Sequence, residues 1–181
     1  MDRKSIQKFI VEARDQGKAD QEIYNELTPQ YYDKKGVAML ITGTPTREDK
    51  QKYKFWNTVL LALIGLTILS KVILGFSIML ATHEAVALLF VFVMPIINVW
   101  FFIEVARYNA PSYQAIGIFT FISLMQAFQQ NQNHNIPGIY SPVNIVVTLL
   151  IGFLAFFLSG KLFPKFKSIN MQKDEHGEYV V

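Results

Sequence analysis

Polar and apolar residues divide this chain into two regions of different rhythm. Up to Lys54 the apolar residues recur at helical spacing among charges, whereas beyond Phe55 they run together. Ile6, Phe9, Ile10 and Ala13 fall at i, i+3, i+4 and i+7, which predicts an amphipathic helix, and Gly17 offers a left-handed stop after it. Asp20 is the predicted N-cap of a second helix, with Glu22 in its electropositive first turn and Ile23, Tyr24 and Leu27 facing the first helix. Thr28-Pro29, a capping residue followed by proline at the first helical position, predicts a third segment that carries Val37, Ala38, Leu40 and Ile41 and ends near Gly43. Residues 1–45 are therefore expected to form a small helical module.

The stretch TGTPT, residues 42–46, is the expected linker, and Thr46 the expected N-cap of a juxtamembrane helix over 46–54, supported by the Glu48–Lys52 spacing. Residues 85–103 and the 53 residues 108–160 contain no Asp, Glu, Lys or Arg. Uncharged apolar runs of about 18 or more predict membrane spans, because about 20 helical residues cross a hydrocarbon core about 30 Å thick. Spans are placed at about 55–80, 85–105, 113–128 and 143–163, and the polar tail 164–181, which shows no periodicity, is expected to be disordered. The expected fold class is all-α: a four-span transmembrane helical bundle over 55–163 with a small N-terminal cytosolic helical module.

Charge sets the orientation. Lys50, Lys52 and Lys54 precede the first span, Arg107 lies between the second and third, and Lys161, Lys165 and Lys167 follow the fourth. The two opposite loops hold no Lys or Arg, so both termini are expected in the cytoplasm of a multi-pass protein of the cytoplasmic (inner) membrane. No apolar stretch lies near Met1, so the first span is expected to serve as its own targeting signal. The first 54 residues carry 11 Lys/Arg against 9 Asp/Glu, which describes no nucleic-acid-binding surface. Zero cysteines exclude disulfides and thiolate chemistry. An excess of Lys over Arg, 13 to 4, with frequent Asn and Gln, points to a bacterial protein from an AT-rich genome.

The pattern IQKFIVEARDQGKADQEIYNEL resembles the small helical module, similar to ubiquitin-associated domains, that precedes the spans of various uncharacterised bacterial membrane proteins. Ile6, Phe9, Ile10, Ala13, Arg14, Gly17, Asp20, Glu22, Ile23 and Leu27 carry the resemblance, which extends from Ile6 to about Ile41. It implies a small helical module ahead of the spans, and the module is expected to be cytosolic and to bind a protein partner or its own neighbours.

Candidate chemistry is sparse. His83-Glu84 lacks the second histidine of a metalloprotease helix, since residue 87 is alanine, and no metal or cofactor site is expected. Ser70 and Lys71 are neighbours about 100° apart on a helix and cannot share a proton easily. Six residues stand out inside or beside the spans: Lys71, Glu84, Pro95, Asn98, Glu104 and Arg107. Lys71 interrupts LTILSKVILGF and is expected either to snorkel to the outer headgroups or to pair with Glu84, the latter only if the first span ends near Gly75. Pro95 leaves the Val91 carbonyl without its helical donor, and Asn98 follows one turn on; together they line a pathway or, more plainly, settle a bend and one inter-helix hydrogen bond. Glu104 and Arg107, three residues apart, are expected to neutralise each other. The expected function is non-enzymatic: an adaptor, assembly or sensory component acting in the bilayer through its module, with a cytosolic protein or its own copies as partner. An oligomeric channel or small-solute carrier is the alternative.

Overall fold

The structure is a computed structural model and describes residues 3–82, 87–131, 142–166, 173–175 and 178–181. Among these, every regular element is helical: α1 (Arg3–Asp15), α2 (Asp20–Leu27), a 3-10 turn (Thr28–Gln30), α3 (Lys34–Thr42), α4 (Arg47–Thr82), α5 (Ala87–Ala106), α6 (Ala110–Asn131) and α7 (Pro142–Leu162). The all-α class read from the sequence is the class observed. The chain forms two compact units: Met1–Lys54 with Tyr108–Pro111 and Leu158–Val181, and Phe55–Arg107 with Ser112–Phe157.

In the first unit, α1, α2 and α3 enclose one apolar cluster. Ile10, Ile23, Ala38 and Ile41 are fully buried there, with Ile6, Ala13, Tyr24, Leu27 and Val37 almost so. Each large aliphatic side chain so removed from water contributes about 1.5–3 kcal/mol before chain entropy is counted. Gly17 ends α1 at φ +84°, a conformation that side-chain-bearing residues rarely adopt. Arg14, at the end of α1, donates from Nη1 to the Thr44 carbonyl (2.5 Å) and from Nη2 to the Ile41 carbonyl (2.9 Å). It thereby ties the end of α1 to the chain leaving α3, where the Ile41 carbonyl also accepts from the Thr44 N–H at 3.2 Å.

Two helix starts differ from their expected form. Asp20 does not cap α2: the N-cap residue is Ala19, whose N–H donates to Glu22 Oε2 at 3.1 Å. The Asp20 carboxylate is engaged instead by Arg14 Nε (2.7 Å) and Lys165 Nζ (3.1 Å), two full charges that outcompete a backbone N–H. Burial alone would raise its pKa, but Arg14 and Lys165 outweigh burial and hold it below the ordinary 3.8. Thr28-Pro29 opens only the 3-10 turn, and α3 starts six residues after Thr28, where Asp33 accepts from the Gly36 N–H at 2.9 Å. Thr46 does cap α4, accepting from the Asp49 N–H at 3.0 Å.

Within the polar tail the described residues beyond Phe166 are 173–175 and 178–181. An isolated antiparallel bridge joins Lys173 to Tyr179, Asp174 exchanges hydrogen bonds with Glu178 (2.8 Å each), and Lys173 Nζ lies 5.0 Å from the Tyr179 ring centroid. Tyr179 and Val181 then pack on the module's apolar cluster, which supplies the burial that an isolated polar tail lacks.

In the second unit the long helices turn large apolar side chains outward, among them Leu66, Leu69 and Ile73 on α4, Ile96, Ile97 and Trp100 on α5, Phe119 and Phe121 on α6, and Phe153 and Phe156 on α7. Among the described residues, two helical stretches, Arg47–Ala81 and Val143–Leu162, are long and apolar enough to cross a membrane, while Pro95–Ala106 within α5 and Ala110–Met125 within α6 are shorter apolar stretches. Polar residues do the internal fixing. The buried Tyr113 hydroxyl donates to Asn57 Oδ1 (2.6 Å) and approaches the Val105 carbonyl (3.2 Å), joining α6 to α4 and α5. Helices α6 and α7 come close at Gly152, where a Cβ would lie 2.8 Å from Thr120 Cγ2 and 3.2 Å from Thr120 Cβ.

Candidate functional site

Two constellations, one in each unit, carry more than packing. The first lies between α4 and α5. Lys71 Nζ donates to Asn98 Oδ1 (2.9 Å), Asn98 Nδ2 donates to Thr67 Oγ1 (3.1 Å), and Thr67 Oγ1 donates to the Ile64 carbonyl (2.7 Å). Every donor in this track points the same way, so the dipoles reinforce one another from the ammonium to the backbone. Helical period explains its assembly: Thr67 and Lys71 are four residues apart on one face of α4, and Asn98 sits three residues after Pro95 on α5. Pro95 is buried within the helix and supplies no N–H to the turn before it.

Lys71 and Asn98 are thus brought together, a meeting that the separate readings of the two residues did not anticipate. Helix α4 runs on to Thr82, so the early end near Gly75 that a Lys71–Glu84 pair required is not present. Glu84 itself lies outside the described residues. Thr67 was missed; its signal was the four-residue spacing to Lys71 inside an apolar run. Glu104 and Arg107 approach to 3.7 Å, with the Arg107 side chain 63% exposed, a geometry worth little energetically. That pair is not part of the track. Among the described residues, no group of three or more His, Asp or Glu side chains is placed to hold a metal ion.

The second constellation is the face of α2 and α3 that receives the tail. Gln21 holds the tail backbone with both ends of its amide: Nε2 donates to the Tyr179 carbonyl (3.3 Å), and Oε1 accepts from the Val181 N–H (3.2 Å). Glu178 accepts from the Tyr24 hydroxyl (3.1 Å) and forms a charge pair with Lys34. Lys34 holds the Glu178 carboxyl below its ordinary range, and Glu178 raises the Lys34 ammonium in return. Burial is the main cause that pushes the Tyr24 hydroxyl up. The sequence carried a faint signal for this contact in Glu-Tyr-Val-Val, where Tyr179 and Val181 alternate with Val180, which is 51% exposed.

Neither constellation has the nucleophile–base or metal geometry of a reaction centre. One can join helices or pass a polar group; the other can hold a peptide. The chain matches no protein-family model, no curated protein and no solved structure.

Proposed function

We propose that this chain is a non-enzymatic, four-span protein of the cytoplasmic membrane that works as an adaptor, assembly or sensory component through its N-terminal helical module, with both ends in the cytoplasm. The observation that carries the reading is the module itself: a three-helix unit with its own buried cluster and a face that already engages an extended segment. Such a face recognises partners rather than transforms them. Four crossings are supported by the outward apolar side chains on α4, α5, α6 and α7, which water would tolerate poorly and lipid accepts. Helices of 20 residues (α5) and 22 residues (α6) also have the length, about 30 Å at about 1.5 Å per residue. The Lys and Arg residues flanking the spans support the cytoplasmic placement of the ends.

The track Lys71–Asn98–Thr67 favours a second reading, an oligomeric channel or small-solute carrier, because polar groups at membrane depth mark pathways as well as helix contacts. Crosslinking and pull-down of the intact protein with and without residues 1–45 separates the two. A specific cytosolic partner lost on truncation supports the adaptor. No partner, together with solute flux in liposomes, refutes it in favour of the channel or carrier.

A further inference from the structure

We propose that the face carrying Gln21, Tyr24 and Lys34 is a peptide-docking groove, that residues 178–181 occupy it as a built-in competitor, and that its partner is a protein segment with an acidic residue, an aromatic residue next to it and an aliphatic residue two places beyond the aromatic. The proposal rests on the reading of the module as a partner-binding element and adds the partner's chemistry and a means of control.

Three kinds of contact define the motif. Gln21 reads backbone alone: it gives a hydrogen bond to the carbonyl of residue 179 and takes one from the N–H of residue 181. An extended segment offers that pair of groups two residues apart on one edge, so the amide stands in for a residue of a neighbouring strand. Tyr179 and Val181, two apart, share one face and pack on the apolar cluster, while Val180 points away at 51% exposure. Tyr24 and Lys34 read the acidic position through Glu178. The groove therefore specifies acid, aromatic, any residue, aliphatic.

The occupant is held weakly enough to be exchanged. The Lys34–Glu178 pair is 51% and 38% exposed, the Gln21 hydrogen bonds are at the long end of the normal range, and both apolar anchors are only half-buried. What keeps the tail in place is its covalent attachment, which holds it at an effective concentration of order millimolar. A partner segment of micromolar affinity displaces it.

The test uses the full chain in detergent micelles and a fluorescein-labelled peptide of residues 173–181, with binding read by anisotropy. Two released forms are compared with wild type: a chain ending at residue 172 and the full-length Glu178→Lys variant. Both are expected to bind the peptide at least about tenfold more tightly than wild type, whose own tail competes. In either released form, Gln21→Ala is expected to weaken binding about tenfold, and in the chain ending at residue 172, which has no tail to re-pair, Lys34→Glu is expected to switch preference to a peptide carrying Glu178→Lys. Released forms that bind no more tightly than wild type overturn the proposal. Amide protection over residues 6–41, measured on the same samples, separates the causes of failure. Protection retained without binding removes the groove and leaves the module reading intact; protection lost only on release makes the tail a structural cover and overturns the groove; protection absent in wild type removes the module reading itself. A wild-type groove closed only at concentrations where the protein dimerises would assign the occupant to a second copy and overturn the built-in competitor.

Discussion

Replacing Asn98 by leucine keeps the branched skeleton of the side chain and removes the centre of the Lys71–Asn98–Thr67 track. Lys71 Nζ then loses its acceptor at 2.9 Å and Thr67 Oγ1 its donor at 3.1 Å, so one substitution leaves a cation and a hydroxyl without these partners. A hydrogen bond to a charged group contributes about 1.5–3 kcal/mol in water-soluble proteins. Cycles within membrane proteins average about 0.6 and reach about 1.7 kcal/mol, because the unfolded helix also finds partners. A cost of about 1–2 kcal/mol is expected for Asn98→Leu, or about 3–6 °C in thermal midpoint at this chain length. Lys71→Met alone should be close to neutral: it exposes the Asn98 carbonyl oxygen but relieves a cation whose insertion costs up to about 3 kcal/mol. The double variant Asn98→Leu/Lys71→Met should therefore be more stable than Asn98→Leu. Thermal melts of the four proteins in one detergent close the cycle. If the two effects add to within about 0.5 kcal/mol, or if Asn98→Leu is neutral, the ammonium is satisfied elsewhere and the track is not an energetic unit.

The remaining predictions concern threading, helix contact and acid stability. With no native cysteine to interfere, cysteine placed at Asn133 should react with an impermeant maleimide in intact cells while cysteine at Asn109 or Glu48 should not; outside labelling at 109 would refute the orientation. Gly152→Ala should lower the thermal midpoint more than Gly117→Ala, because the new methyl meets the buried Thr120 near its own backbone, whereas at 117 it meets the ring of Phe156, which is 53% exposed and free to swing. The reverse order would show that the α6–α7 contact is not held at Gly152. Asp20 is depressed below its ordinary value by Arg14 and Lys165 against the effect of burial, so its contribution is full above 3.8 and is lost as pH falls through the lower folded value. As pH falls below 3.8 the midpoint of the wild type should fall more steeply than that of Asp20→Asn, and parallel curves would remove the carboxylate from the acid transition.

The module was legible because its information is local. Ile6, Ile10, Ala13, Ile23, Leu27 and Ile41 announce their faces by spacing alone, and Gly17 announces its turn by lacking a Cβ. What spacing cannot rank is a contest between partners far apart in sequence. Asp20 has the right chemistry for a cap, and only the arrival of Arg14 and of Lys165, 145 residues later, diverts it. Thr28-Pro29 has the right dipeptide for a helix start, yet Asp33 offers a competing cap five residues on and the longer run of helix formers follows that one. Helix ends around the apolar region are hard to read for a different reason: a helix continues past its apolar run into polar residues, as α6 does through Gln129, Gln130 and Asn131, and hydropathy marks only the run.

The two constellations on which the proposals rest were hardest to see, and the cause is the same in both. Each is built from residues that look ordinary singly, a threonine and an asparagine in apolar helices, a glutamine on a small helix, a tyrosine in a polar tail. A buried polar group must find a partner, but sequence does not say which, and the partners lie 31 residues apart in the track and 158 in the groove. The constraint can still be used in advance. Thr67 and Lys71 share a helical face within an apolar run whose backbone serves the Thr67 hydroxyl as acceptor but offers the ammonium no side-chain partner, so a facing helix that presents an amide or an acid at the same depth is favoured, and Asn98 is the amide available on the helix that follows.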